Sequence, residues 1–242
     1  MRTRFCATLG LGALVLATAA CVSLKRTPEA RYFVLQSLVE PPAVAEEPVG
    51  IVGVETALLP GHLDRPQLVT WAGPNEMRTD EFLRWAEPLQ EGITRTLAED
   101  LAGLLPDYQL VRRPWSGRTR TRCRVLVTLR AFGLHPDGTV RLEGQYRLLP
   151  DKGALAYVLR PVSLSEGPVA VPRDEGAPPD PGVEAMNRLL ESLSRQIAED
   201  IRALPPEPPD DDAAGPTETD EESSRLEPEG GAGDHGGSPA QG

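Results

Sequence analysis

The residue with the clearest chemistry is Cys21. It closes the apolar run Leu9–Ala20, follows the small pair Ala19-Ala20, and is preceded at a distance by Arg2 and Arg4. A basic head, an apolar run and small residues before a cut form the pattern of a secretory signal that is removed from the mature chain. The run is 12 residues long, short of the roughly 20 that a spanning helix needs. A cysteine left at the new N-terminus can carry a diacylglyceryl thioether and an N-acyl chain, and each buried CH₂ contributes about 0.8 kcal/mol to membrane retention. Thr18 stands where a lipid-attachment signal favours Leu, so plain cleavage, releasing a soluble periplasmic protein, is the alternative. In Gram-negative lipoproteins an Asp directly after the lipidated Cys retains the protein in the inner membrane. Val22 in that place predicts transfer to the periplasmic face of the outer membrane.

Catalytic chemistry is not expected. His62, His135 and His235 lie in a loop, a turn and the C-terminal tail, and none has the spacing of a metal pair. No nucleophile elbow, phosphate-binding glycine loop or Cys/His cluster is present, so no enzyme activity, cofactor or metal is expected, and no nucleic-acid partner. With Cys6 lost in the signal and Cys21 acylated, Cys123 is the one remaining thiol and no internal disulfide can form. Its place in an alternating strand predicts a small buried residue.

The elements that must hold these residues follow from periodicity. Residues 1–20 are the signal, 21–30 a lipidated tether, 31–204 the folded domain and 205–242 a tail. The tail has 11 acidic residues against one Arg, a net charge of −10, so the whole-chain value of −11 leaves about −1 for the rest. Such a composition cannot bury enough apolar area to fold; the tail is a solvated segment or an electrostatic lure for a basic surface. Arg31–Ser37 and Val49–Glu55 read as strands, separated by a loop over 41–48. Two segments have helical period: Pro88–Leu105, with Leu89, Ile93, Leu97, Leu101 and Leu104 on one face, and Val183–Leu204, with Met186, Leu190, Leu193, Ile197, Ile201 and Leu204. Asp180-Pro181 suits the cap and first turn of the second. Glu91/Arg95, Glu184/Arg188 and Glu191/Arg195 are spaced as helical ion pairs. Between the helices lies a β-rich stretch that starts with Tyr108–Arg112 and Cys123–Phe132, with Cys123, Val125, Val127, Leu129 and Ala131 on one face, and after a turn at His135–Gly138 runs on through Val140–Leu148, the meander being continued by Leu155–Leu164. The expected fold is α/β, with α+β as the alternative: one mixed sheet packed by two long helices in a single domain.

Outside the periodic elements lies a dense patch of special residues: Leu59-Pro60-Gly-His-Leu63-Asp64-Arg65-Pro66, then Asn75, then Arg84-Trp85-Ala-Glu87-Pro88-Leu89, and later Pro114-Trp115. Each admits two readings. Asp64 and Arg65 make either a turn with a local ion pair, worth about 0 to 1 kcal/mol at a surface, or a subunit or partner contact. Trp85, Glu87 and Pro88 open a helix, with Trp85 in the core or at a contact. Trp115, ahead of Arg118, Arg120 and Arg122, belongs to a solvated basic loop or touches anionic headgroups.

These blocks and their spacing resemble the PqiC/YmbA family of ABC-type transport auxiliary lipoproteins, over roughly Arg31 to Leu204. The resemblance implies a non-enzymatic lipoprotein anchored in the outer membrane. Its implied partner is an MCE-domain (PqiB-like) subunit of a trans-envelope lipid transporter, which it docks to that membrane in support of membrane integrity, and assembly into a homo-oligomeric ring is implied too. On this basis Cys21 is the lipid anchor, and Leu59, Pro60, Leu63, Asp64, Arg65, Pro66, Asn75, Arg84, Trp85, Glu87 and Trp115 are the partner-binding residues. Trp71 stands where the family more often has a polar or basic residue. Residues 164–180, rich in proline, look inserted. The competing function is a free-standing lipid-binding module, disfavoured by the narrow apolar stripes of both helices and the few aromatics available to line a cavity.

Overall fold

The computed structural model describes residues 29–41, 47–116, 119–151, 156–169 and 180–205. The signal, Cys21, most of the tether, Arg118, most of the proline-rich stretch and the acidic tail after Pro205 lie outside these residues. Among the described residues eight strands and two helices follow in the order β1 (Arg31–Phe33), β2 (Gly50–Val54), β3 (Gln67–Gly73), β4 (Glu76–Trp85), α1 (Leu89–Leu104), β5 (Tyr108–Arg112), β6 (Cys123–Leu134), β7 (Val140–Leu149), β8 (Val158–Glu166) and α2 (Asp180–Arg202).

All eight strands belong to one mixed sheet, as the sequence predicts. β6 is its spine. It pairs antiparallel with β7, which pairs antiparallel with β8. Along its other side β6 runs parallel to β2 near its start and to β3 at its end, through Thr70 and Leu134. β5 lies parallel beyond β2. β3 and β4 form an antiparallel hairpin, and β1 closes that side parallel to β4. Both helices share one hydrophobic cluster with the inward residues of β2, β6 and β7. This gives two layers around one core, with both helices of the described residues on the same face of the sheet.

Both helices form where the apolar period places them. Ile93, Leu97 and Leu101 of α1 and Leu190, Leu193, Ile197 and Ile201 of α2 are buried. Pro88 is the cap residue of α1, and Asp180 falls inside α2 rather than at its cap. Among the described residues two of the expected helical ion pairs are replaced by others. Arg95 binds Glu87 and Glu99 in place of Glu91, and Arg188 binds Glu166 in place of Glu184. The Glu191–Arg195 pair forms as spaced.

Four expectations change. The segment Gln67–Trp85, left outside the periodic elements by the sequence reading, is the β3–β4 hairpin with Pro74-Asn75 at its turn. The predicted inward face of β6 holds through Cys123, Val125, Val127 and Leu129, then shifts by one residue. A bulge at Arg130 breaks the register with β7, so Phe132 and Leu134 point inward and Ala131 does not, as a period-two strand requires after one extra residue. The strand expected over Arg31–Ser37 is regular only to Phe33, and the one over Leu155–Leu164 runs from Val158 to Glu166.

Candidate functional site

The two motif blocks meet at one place. Residues 60–65 form a turn in which the Leu63 and Asp64 amides donate to the Pro60 carbonyl at 2.9 and 3.2 Å. The Trp85 amide, at the end of β4, donates to the Pro66 carbonyl at 2.7 Å, locking the first block to the second. The Ala86 amide donates to the Phe33 carbonyl at 2.9 Å, which fastens β1 to the same corner. Between the blocks lies a pocket of about 380 Å³ lined by Asp64, Arg65, Pro66, Trp85, Ala86, Glu87 and Pro88.

The side chains at this corner divide into inward and outward groups. Leu63, 1% exposed, and Trp85, 7% exposed, belong to the core. They fix the loop the way a buried anchor fixes any loop, by burying apolar area that the turn would otherwise leave wet. Leu59 packs at the core's margin. Glu87 is tied down: Arg95 donates to its Oε1 at 2.6 Å and to the Leu35 carbonyl at 2.7 Å. Gly92 leaves the room this needs, since a Cβ there would sit 3.3 Å from the Glu87 carboxylate. Asp64, Arg65 and Pro66 are exposed, and no ion pair joins Asp64 to Arg65 or to any other described residue.

The other predicted contact residues stand elsewhere. Arg84 points away from the core on β4, beside Tyr32 of β1. Asn75 is at the turn of the β3–β4 hairpin. Trp115 lies on the face of the sheet opposite the two described helices, over Gly53, where an added Cβ would come within 2.9 Å of the indole. The Arg113 guanidinium stacks on that indole at 4.0 Å. Glu55 accepts from Arg113 at 2.7 and 3.0 Å and from Arg124 at 3.2 Å. These bonds, that from Arg113 first, hold the Glu55 carboxyl below its ordinary range against a smaller opposing effect of burial.

Three arrangements escaped the sequence. Asp100 of α1 is fully buried and accepts from Ser37 at 2.6 Å and Ser194 at 2.9 Å, joining the segment after β1 to both helices. Burial pushes its carboxyl up, and the two hydroxyls oppose that shift. Only the tertiary fold brings these three residues together. Around Trp71, His135 stacks at 5.4 Å and His62 stands edge-on at 6.0 Å, beside a groove of about 620 Å³ between the hairpin turn and the β6–β7 turn. Burial, followed by the charge of Arg141, lowers the His135 pKa. Third, Tyr146 of β7 donates to Asp200 of α2 at 2.7 Å, and Arg160 of β8 binds the same carboxylate at 3.0 Å. No group of metal-ligating side chains occurs among the described residues, and none of their helices is long and apolar enough to cross a membrane. Cys123 is buried, and burial raises its thiol to about 12, which leaves it protonated and unreactive at neutral pH.

Solved structures share this fold. A crystal structure described as that of an uncharacterized protein superposes with a TM-score of 0.56 at 21% identity, over 72% of this chain and 99% of that one. The crystal structure of protein XCC0632 from Xanthomonas campestris, of the DUF330 family, superposes with a TM-score of 0.55 at 13% identity, over 71% of this chain and 95% of that one. No curated protein matches the chain. The model of the ABC-type transport auxiliary lipoprotein component family matches residues 33–198, a span that takes in both motif blocks, the pocket between them and most of α2. The chain belongs to the family of ABC-type transport auxiliary lipoprotein components.

Proposed function

We propose that this protein is a non-enzymatic subunit of an MCE-type trans-envelope lipid transport system, held at the periplasmic face of the outer membrane through lipidated Cys21. There it docks the transporter to that membrane and supports membrane integrity. In the division we propose, residues 1–20 are a signal, 21–30 a lipidated tether, 31–204 the auxiliary domain and 205–242 an acidic tail. At about 3.3 Å per extended residue the short tether keeps the domain within some 25 to 30 Å of the lipid.

The region Leu59–Leu89 is the main contact surface in this reading, in a ring of copies that meets an MCE-domain, PqiB-like partner. The observation that carries it is the pocket at which the two motif blocks converge, with Asp64 and Arg65 exposed and without an ion-pair partner among the described residues, beside an apolar wall. Loops held on a rigid scaffold, with charges left unpaired, are what recognition uses. The test is a pull-down from cross-linked envelopes with the lipidated protein. Recovery of an MCE-domain subunit, lost on Cys21→Ser, is the expected result. Phospholipid co-purifying with a solitary monomer would favour the lipid-binding module instead.

A further inference from the structure

Seven large apolar side chains are exposed among the described residues, and three of them, Tyr32 at 63%, Leu38 at 49% and Val34 at 42%, belong to one short stretch of chain. Scattered exposed apolar residues need no explanation, but contiguous ones mark a contact. The stretch begins as β1, a terminal strand of the sheet, and continues past it onto the helices. Its inward side is fully used. Leu35 is in the core, Arg95 donates to the Leu35 carbonyl at 2.7 Å, the Gln36 amide donates to Asn187 Oδ1 at 3.1 Å, and Ser37 donates to Asp100 at 2.6 Å. Tyr32, Val34, Gln36 and Leu38 are left as an exposed row on alternate positions, and the bonds on the inward side hold that row in place.

What covers the row follows from where it sits in the chain. Tyr32 stands 11 residues after Cys21, a span of at most about 36 Å when fully extended. An anchored chain therefore keeps the row beside the bilayer. Between Cys21 and Tyr32 come Lys25, Arg26 and Arg31 against the single acid Glu29. Basic residues next to a lipid anchor are drawn to anionic headgroups. A tyrosine with aliphatic neighbours suits the boundary between headgroups and acyl chains, where one end of the ring is wet and the body is not.

We propose that the Tyr32–Leu38 row is a membrane-contact surface, with Tyr32, Val34 and Leu38 at the headgroup boundary of an anionic lipid surface. The inference rests on the reading of Cys21 as the anchor and adds a second, non-covalent contact to it. The β1 edge of the sheet then faces the bilayer. β8, five strands further on and about 24 Å away, stays clear of it.

The test uses the full lipidated chain reconstituted in vesicles of phosphatidylethanolamine and phosphatidylglycerol that carry a small share of nitroxide-labelled lipid. A fluorophore is attached through Gln36→Cys, within the row, or through Ser163→Cys on β8, both exposed positions. Cys123 is buried and takes no label. Flotation with the vesicles reports the anchor, and quenching by the lipid reports the row. In floated protein the fluorophore at position 36 should be quenched at least threefold more than the one at 163. Adding Tyr32→Ser, Val34→Ser and Leu38→Ser to Gln36→Cys should abolish that excess with unchanged circular dichroism. With phosphatidylcholine in place of phosphatidylglycerol the excess should fall at least twofold, and an excess indifferent to lipid charge would overturn the choice of an anionic surface. Equal quenching at the two positions would overturn the proposal and leave the anchor standing. An excess that survives the triple substitution would overturn it too, because the tether alone would then hold the row near the lipid. Protection of the position-36 fluorophore from aqueous iodide without quenching from the lipid would mean that protein covers the row, with the same consequence. A wild-type chain that does not float would overturn both the anchor and the contact.

Discussion

The motif corner at residues 59–66 and 84–88 and the loop at 113–116 draw on the same residue types: proline, arginine and tryptophan, with a nearby acid. They use them in opposite ways. In the loop every charge is satisfied inside the molecule: Arg113 lies on Trp115 and holds Glu55, which also holds Arg124. The indole is folded down over Gly53. At the corner, Trp85 is sunk into the core, Glu87 is held by Arg95, and Asp64 and Arg65 are left exposed with no ion-pair partner among the described residues. The residue types alone did not distinguish a closed structural cluster from an open rim. The difference lies in whether a neighbouring strand supplies the counter-charge.

The contrast can be broken most severely at Trp85. Replacing it with Ala removes a core side chain and should cost about 3 to 5 kcal/mol in urea unfolding, which would show that the corner's wall is also part of the fold. Gly53→Ala should cost about 1 to 3 kcal/mol, because its Cβ meets the indole and the ring must move. Its signature is a red shift of tryptophan fluorescence as Trp115 becomes wet, and an unchanged spectrum with unchanged stability would show that Trp115 is not seated there. Glu55→Gln should cost about 1 kcal/mol, after discounting charge-assisted hydrogen bonds for their partial exposure. Asp64→Ala and Arg65→Ala should each change stability by less than about 0.5 kcal/mol while weakening assembly, which is the sharpest separation of the two regions.

Acid separates the half-buried Glu55 from the buried Asp100 as well. The Glu55 pKa is lowered from 4.5 by Arg113 and then Arg124, so its contribution is complete above that value and is lost as pH falls through the lowered one. Asp100, raised from 3.8 by burial, behaves oppositely: protonation favours the folded state, so its share of stability rises as pH falls through the raised value toward the unfolded one. Denaturation measured between pH 7 and 3 should therefore show a smaller loss of stability on acidification for Glu55→Gln than for the wild type. Asp100→Asn should remove the opposing component and give a larger loss.

The helices were legible because each buries one continuous stripe, and a stripe at three and four residues survives any tertiary context. β7 was legible for the same reason at period two: Val140, Leu142, Tyr146 and Leu148 are all buried. The β3–β4 hairpin was not, because its buried residues, Leu68 and Val69 in β3 and Leu83 and Trp85 in β4, do not alternate over either whole strand, while Glu76, Arg78, Thr79 and Glu81 face water. Its pattern is therefore polar where a strand would be expected to alternate. The bulge at Arg130 has no local signature, since one extra residue is visible only against the partner strand. Of the candidate site, the sequence supplied the two blocks but not their meeting. It grouped Trp115 with them, and the fold sets that residue against the sheet's other face, over Gly53.

In the function proposed above, the 59–89 surface belongs to an assembly with an MCE-domain subunit at the membrane. Photo-cross-linking in intact envelopes from Asn75, at the hairpin turn, tests it most directly. The account predicts an adduct with an MCE-domain protein that disappears when Cys21 is replaced by Ser. Adducts with unrelated proteins only, or an MCE-protein adduct that survives unchanged in Cys21→Ser, would contradict it.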